Sequence, residues 1–235
     1  MVLLKYSLKR LIKKNVYIGS SSRRWNEYVK SFIYYQYKKQ YYFDLVKIML
    51  SLRLINFFLM NLIVLKGNAV FIDNRKMFSV FLKFLKFETD HEILKEGWVS
   101  GTFTNFKEFQ INKIYKNLNN EMLKKMGFYK LMRLPDVVIT FSNYYNENAI
   151  IETKALGIPI ISIINSDSNS AGISLPLYGN DIDKKSVVLI GQFLKFSIKQ
   201  GFIEEKSQFY FYLSKYCYLL FLKNLYVINK KKING

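Results

Sequence analysis

Arg23, Arg24 and Trp25 stand side by side directly after a break made of Gly19 and the serines at 20, 21 and 22. Guanidinium forks grip phosphate oxygens and an indole stacks on a base or a sugar, so the triplet suits an RNA-contacting loop. A solvated loop anchored by a core Trp would use the same residues. A second patch, GWVSGTFTNF over residues 97–106, sets Trp98 and Phe103 among glycines and small polar residues. Glycine lets a partner approach the backbone, and Ser100, Thr102, Thr104 and Asn105 carry donors for phosphate and ribose oxygens. A tight turn pinned by a buried Trp would also fit that pattern.

Charge narrows the partner. Thirty-six Lys and Arg against seventeen Asp and Glu give the 235-residue chain a net charge of +19. Self-repulsion on that scale opposes folding unless a polyanion neutralises it; nucleic acid is the commonest such partner and anionic membrane the second. Half of the residues are hydrophobic and 17% aromatic, so many Lys stems must lie along apolar surface. Codons rich in A and T would inflate Lys, Tyr and Asn without selection for binding, but they do not explain the scarcity of Asp and Glu.

Catalytic and metal chemistry have little to work with. The single cysteine, Cys217, excludes an internal disulfide and a cysteine cluster, and the single histidine, His91, reads as structural or solvated. No Gly-x-Gly-x-x-Gly and no Gly-Lys-Ser/Thr loop follows a predicted strand. No cofactor is expected and the chain is not read as an enzyme. The opening MVLLKYSLKRLIKKN is basic and amphipathic and lacks the apolar core of a signal peptide, which a protein made inside an organelle would not need.

Three apolar runs, each led by one of the chain's three prolines, supply the scaffold: PDVVITF, LGIPIISIIN and LPLYGND. Short and rich in Val and Ile, they read as strands buried on both faces of a parallel sheet. NENAIIETKALG lies between the first two as a helix that Asn146 or Asn148 can cap and Gly157 ends. KKSVVLIGQFLKFSIK has helical spacing after the third. Upstream, the pattern predicts a strand at about 40–43, a long apolar helix to Leu65, a strand at 69–73 parallel to the first, and an amphipathic helix over 75–87. The eighteen apolar-rich residues from Ile48 to Leu65 could span a membrane, but Arg53, Asn56 and Asn61 interrupt them, favouring a buried helix.

In this order the segments resemble the bacterial and organellar small-subunit ribosomal protein S-two family, from Leu11 to about Lys199. IGSSSRRWNEYVKSFIY occupies the place of the family's Gly-His-Phe-Gly and Arg-x-Trp-Asn-Pro opening. Asp44-Leu45 with Lys47, KGNAVFIDNRK, GWVSGTFTNFK, LPDVVITF, ALGIPIISIINSDSN and PLYGNDIDKKSVVLI follow in register with its later blocks. Ser20 stands where the family has His, and Gly97 where it has Arg beside the Trp. The stretch from 107 to 133 has room for only a shortened form of the family's helical hairpin.

The resemblance implies an α/β, flavodoxin-like, doubly wound and mainly parallel sheet with helices on both faces, a shortened hairpin insertion and a C-terminal extension. Residues 1–37 would form a basic N-terminal segment, 38–200 the α/β domain with its insertion at about 107–133, and 201–235 an apolar and basic extension packed on a protein neighbour. The implied role is structural, in the small subunit of a mitochondrial ribosome, with plastid as the other compartment; the partners are small-subunit ribosomal RNA and other small-subunit proteins. Candidate RNA contacts are Lys13, Lys14, Arg23, Arg24, Trp25, Lys38, Lys39, Arg75, Lys76, Trp98, Thr102, Thr104, Asn105 and Lys107. The rival readings are an organellar membrane protein, resting on the apolar helix and the tail, and an enzyme on the same scaffold.

Overall fold

The computed structural model describes residues 8–21, 25–78, 80–83, 92–94, 98, 100–108 and 133–233, the stretches 92–94 and 209–233 by backbone course alone. In chain order the elements are α1 (Leu8–Lys13), β1 (Ile18–Ser21), β2 (Ile33–Tyr37), β3 (Gln40–Phe43), α2 (Leu45–Val64), β4 (Ala69–Ile72), β5 (Glu92–Leu94), β6 (Val137–Thr140), α3 (Glu147–Ala155), β7 (Ile160–Ile164), β8 (Leu175–Tyr178) and α4 (Lys184–Ile233). Short 3-10 turns lie at Glu27–Phe32, Lys76–Phe78 and Tyr144–Asn146.

The main sheet has five parallel strands in the order β5-β4-β6-β7-β8. With the strands renumbered within the sheet this is 2-1-3-4-5, the flavodoxin-like order, and its direction of winding reverses between β4 and β6. Every residue of β4, β6 and β7 is buried, as proline-led apolar runs require of central strands. Side chains alternate between two cores. Phe71 and Ile139 join the cluster that α2 and α4 cover, while Val70, Ile72 and Val138 pack with Ala149 of α3 and with Phe103 and Phe106. Pro176 sits within β8, at the sheet's outer position, where a missing N–H is tolerated.

Asp44 opens α2 by accepting a hydrogen bond from Val46 N at 2.8 Å. Ile48, Leu52, Ile55, Leu59 and Ile63 form its buried stripe, which explains why so apolar a helix follows a strand directly. The opposite stripe, Val46, Leu50, Leu54 and Phe57, is exposed. By length and hydropathy α2 would reach across a bilayer, yet one face is packed on α4 and β8.

Three sequence expectations change. The strand at 40–43 forms but joins a separate antiparallel sheet, ordered β1-β3-β2, so α2 does not link two parallel strands of one sheet. The N-terminal half instead contributes β4 and β5 to the main sheet. The helix expected over 75–87 begins as a 3-10 turn, because the Asp73 side chain takes the Arg75 backbone N–H; helix resumes at 80–83 and the remainder lies outside the described residues. Asn146 stands at the start of α3 without capping it, since its amide is committed to Ser142 O and Asn74 N. Gly157 closes that helix with φ +69°, the left-handed conformation that glycine adopts without strain.

Candidate nucleic-acid interface

In a doubly wound sheet ligands sit at the carboxyl ends of the strands, where the winding reverses. Here that crest is filled by the chain's own polar groups. Asp73 follows β4 and accepts a two-pronged grip from Arg75, Nε to Oδ1 at 2.9 Å and Nη2 to Oδ2 at 2.7 Å. The same guanidinium donates to Phe141 O beyond β6 and to Asp181 O beyond β8, and it lies 4.4 Å from the Phe78 ring centroid. Asp181 accepts hydrogen bonds from Ser142 Oγ and from Asn165 Nδ2. Burial pushes the Asp181 carboxyl above its ordinary range, against the opposing pull of Ser142, Asn165 and Arg75.

The N-terminal segment crosses this crest. Ser20 N donates to Asn165 Oδ1 at 2.9 Å and to Ser166 Oγ at 2.8 Å, Asn180 N donates to Val16 O, and Asn26 N donates to Ser166 O. Ser20 Oγ, at the position where the resembled family carries His, is buried with no hydrogen-bond partner among the described residues. Residues 8–37 thus contribute to the fold through Leu11, Val16 and Val29, all in the main core.

The Trp98 patch is built around Glu152 of α3. Trp98 Nε1 donates to Oε1 at 3.1 Å, Gly101 N to the same oxygen at 2.5 Å, and Phe103 N to Oε2 at 3.1 Å. Gly101 holds φ +90°, which a residue with a Cβ rarely adopts, and so aims its amide inward. Trp98 and Phe103 meet edge to face at 4.8 Å. The indole N–H of Trp98 and two backbone amides of the patch therefore already surround an internal carboxylate. Thr102 is buried, whereas Ser100, Thr104, Asn105 and Lys107 face outward.

Among the other candidates, Lys13, Lys38, Lys39 and Lys76 are exposed and Lys14 is half-buried. Trp25 is 44% exposed and lies 6.1 Å from the Tyr41 ring. Arg23 and Arg24, like His91, lie outside the described residues. Arg75 and Thr102 are the corrections. The first is locked in a buried ion pair and the second lies beneath the surface, so neither presents itself to RNA. The fold gathers Arg75, Lys76 and Trp98 around Asn74, whose side chain accepts from Trp98 N at 2.6 Å. Lys38, Lys39 and Trp25 belong instead to the small antiparallel sheet and its approach.

Sequence reasoning missed Asp73, Asp181, Asn165 and Glu152. A signal existed for the first two, since each is an acidic residue that closes a predicted apolar strand run. Glu152 has no such mark, because a Glu on a short helix is ordinary. Among the described residues, no three His, Cys, Asp or Glu side chains are grouped to hold a metal. An apolar hollow of about 500 Å³ lies at the opposite, amino-terminal edge of the sheet, lined by Leu54, Phe57, Leu62, Leu65 and Leu175 with Lys66 and Arg133 at its rim.

Comparison with known proteins agrees with this geometry. The family model described as Ribosomal protein S2 matches residues 11–127 and 115–201. The small ribosomal subunit protein uS2 of Malacoplasma penetrans is 27% identical over 215 residues, covering 78% of this chain and 59% of that protein. The uS2 of Buchnera aphidicola subsp. Cinara cedri is 25% identical over 225 residues, covering 85% and 93%. The uS2c of Phaeodactylum tricornutum is 24% identical over 220 residues, covering 83% and 97%. All three are named as ribosomal proteins rather than enzymes. A flavodoxin-like sheet, the sequence blocks in register and a match from residue 11 to residue 201 lead to one statement: this chain belongs to the Ribosomal protein S2 family.

Proposed function

We propose that this chain is a structural constituent of the small subunit of a mitochondrial ribosome, where it binds small-subunit ribosomal RNA and neighbouring ribosomal proteins. The observation that carries the reading is the closure of the sheet crest by Asp73, Arg75 and Asp181. With Arg75 turned into the crest, the candidate cations that face outward among the described residues are Lys13, Lys38, Lys39, Lys76 and Lys107. Arg23, Arg24 and Trp25 complete the RNA-facing set. A net charge of +19 is what a protein embedded among phosphates requires.

The mitochondrion is favoured by the Lys-, Tyr- and Asn-rich composition and by identities of 24 to 27% to relatives from bacteria and a plastid-type homologue. The C-terminal extension, continuous in backbone with α4, receives a protein neighbour in this reading.

Filter binding of the purified chain to small-subunit ribosomal RNA over a salt series tests the RNA contact. Arg23→Ala with Arg24→Ala is expected to lower the slope of log affinity against log salt by about 1.4 to 1.8, two phosphate contacts' worth. An unchanged affinity and slope would remove that loop from the interface.

A further inference from the structure

The hairpin of β2 and β3 places its charges at a conformational cost that nothing in the fold itself explains. Its two-residue tip is Lys38-Lys39, with φ +44° and +64°. A hairpin tip with both residues left-handed is the type I′ turn, whose usual occupants are Asn and Gly because a Cβ is unfavourable there. From Tyr28 to Phe43 the chain carries three lysines, six tyrosines and no carboxylate. The tyrosines are organised: Tyr35 and Tyr42 stack across the strands with centroids 4.7 Å apart and planes 4° apart, and Tyr17 continues the row 5.7 Å from Tyr42. Tyr37 lies on the same face as Tyr35, two residues on, with Lys38 Nζ 5.3 Å from its centroid. Tyr35 and Tyr37 are 46% and 54% exposed on the outer strand of that sheet.

We infer that this hairpin is a platform for unpaired RNA, in which the open rings of Tyr35 and Tyr37 stack bases and the ammonium groups of Lys38 and Lys39 neutralise the flanking phosphates. The inference rests on the ribosomal reading and specifies the form of RNA taken. Stacked rings beside paired cations are how proteins hold single strands, since every base presents a face to an aromatic ring. A duplex keeps its bases stacked inside and can use the lysines alone. A protein surface could also cover tyrosines, but it offers no reason to hold two adjacent ammonium groups in left-handed backbone at the tip.

The test uses the full chain with two fluorescein-labelled probes, a single-stranded RNA of about a dozen nucleotides and a duplex of the same length. Lys38→Asn with Lys39→Gly installs the preferred turn, so the thermal midpoint rises while the salt slope for the single strand falls by about 1.4. Tyr35→Leu with Tyr37→Leu weakens single-strand binding by at least about fivefold and leaves duplex binding within about twofold. Salt slopes unchanged by the lysine substitutions, or tyrosine substitutions that weaken both probes alike, would overturn the assignment. If those variants bind as the unaltered chain does while that chain still travels with the small subunit, the hairpin assignment alone falls.

Discussion

Arg75 grips Asp73, the residue after the last one paired in β4, with two parallel hydrogen bonds, 2.9 and 2.7 Å long. Both side chains are almost wholly shielded from solvent. Removing the cation leaves a buried carboxylate without its partner, so Arg75→Ala is expected to cost about 3 to 5 kcal/mol in urea unfolding. Arg75→Lys recovers only part, because an ammonium cannot span Asp73, Phe141 O and Asp181 O at once. A loss below about 1 kcal/mol for Arg75→Ala would show that the crest is not held by this pair.

Lys76, the next residue, gives the contrasting outcome. It is exposed, so Lys76→Ala is expected to leave stability within about 0.5 kcal/mol and to lower the salt slope of RNA binding by about 0.7 to 0.9. Filter binding and thermal melts on the same preparation check both halves. A stability loss without a change in slope would place Lys76 with Arg75 in the framework.

Asp181 makes the crest sensitive to pH. Its folded carboxyl titrates above its unfolded one, so the charged form is the disfavoured one in the native state. Its favourable share of stability is complete below the ordinary Asp value of about 3.9 and is lost as pH rises through the raised folded value. Arg75 opposes the shift and Asp167 adds to it, and both are included in the net direction. Asp181→Asn should therefore gain stability relative to the unaltered chain as pH increases from about 4 to 7. A difference in melting temperature that is flat or falls over that range would contradict the burial cause.

Glu152 receives three N–H donors on two oxygens, and no neutral amide can satisfy them all. Glu152→Gln turns an NH₂ toward at least one of Trp98 Nε1, Gly101 N and Phe103 N, at a cost of about 1 to 3 kcal/mol. Hydrogen exchange at the Gly101 and Phe103 amides should accelerate. Unaltered protection at both would mean that the patch does not depend on the carboxylate.

Much of the scaffold was legible because periodicity reports burial directly. The runs at 137–140 and 160–164 are buried at every position, and no soluble structure but a central strand accommodates so short and apolar a stretch so simply. The strand at 40–43 was visible, but its sheet was not. Alternation reveals a strand's faces, whereas the choice between a small antiparallel sheet and the main one depends on partners distant in sequence. The site was read less well for a related reason. Arg75 and Lys76 look alike as letters, and only the long-range neighbours Phe141 and Asp181 turn the first inward. Thr102 reads as a donor because it carries a hydroxyl, and Glu152, fifty residues on, draws the adjacent Gly101 and Phe103 amides inward.

The two faces of α2 should respond oppositely to the same truncation. Leu52 is buried against the core, and Leu52→Ala is expected to cost about 2 to 5 kcal/mol. Leu50 is 54% exposed, and Leu50→Ala should change stability by no more than about 0.5 kcal/mol. Equal, small effects at both positions would favour a lipid-immersed helix over one packed on α4.

Sedimentation of mitochondrial lysate on a gradient, with this chain followed by antibody and the ribosomal RNA by hybridisation, bears most directly on the assignment. The chain is expected to travel with small-subunit ribosomal RNA and to stay soluble when membranes are extracted with carbonate. Migration as free protein away from that RNA, or retention in the extracted membrane pellet after the RNA has left, would contradict it.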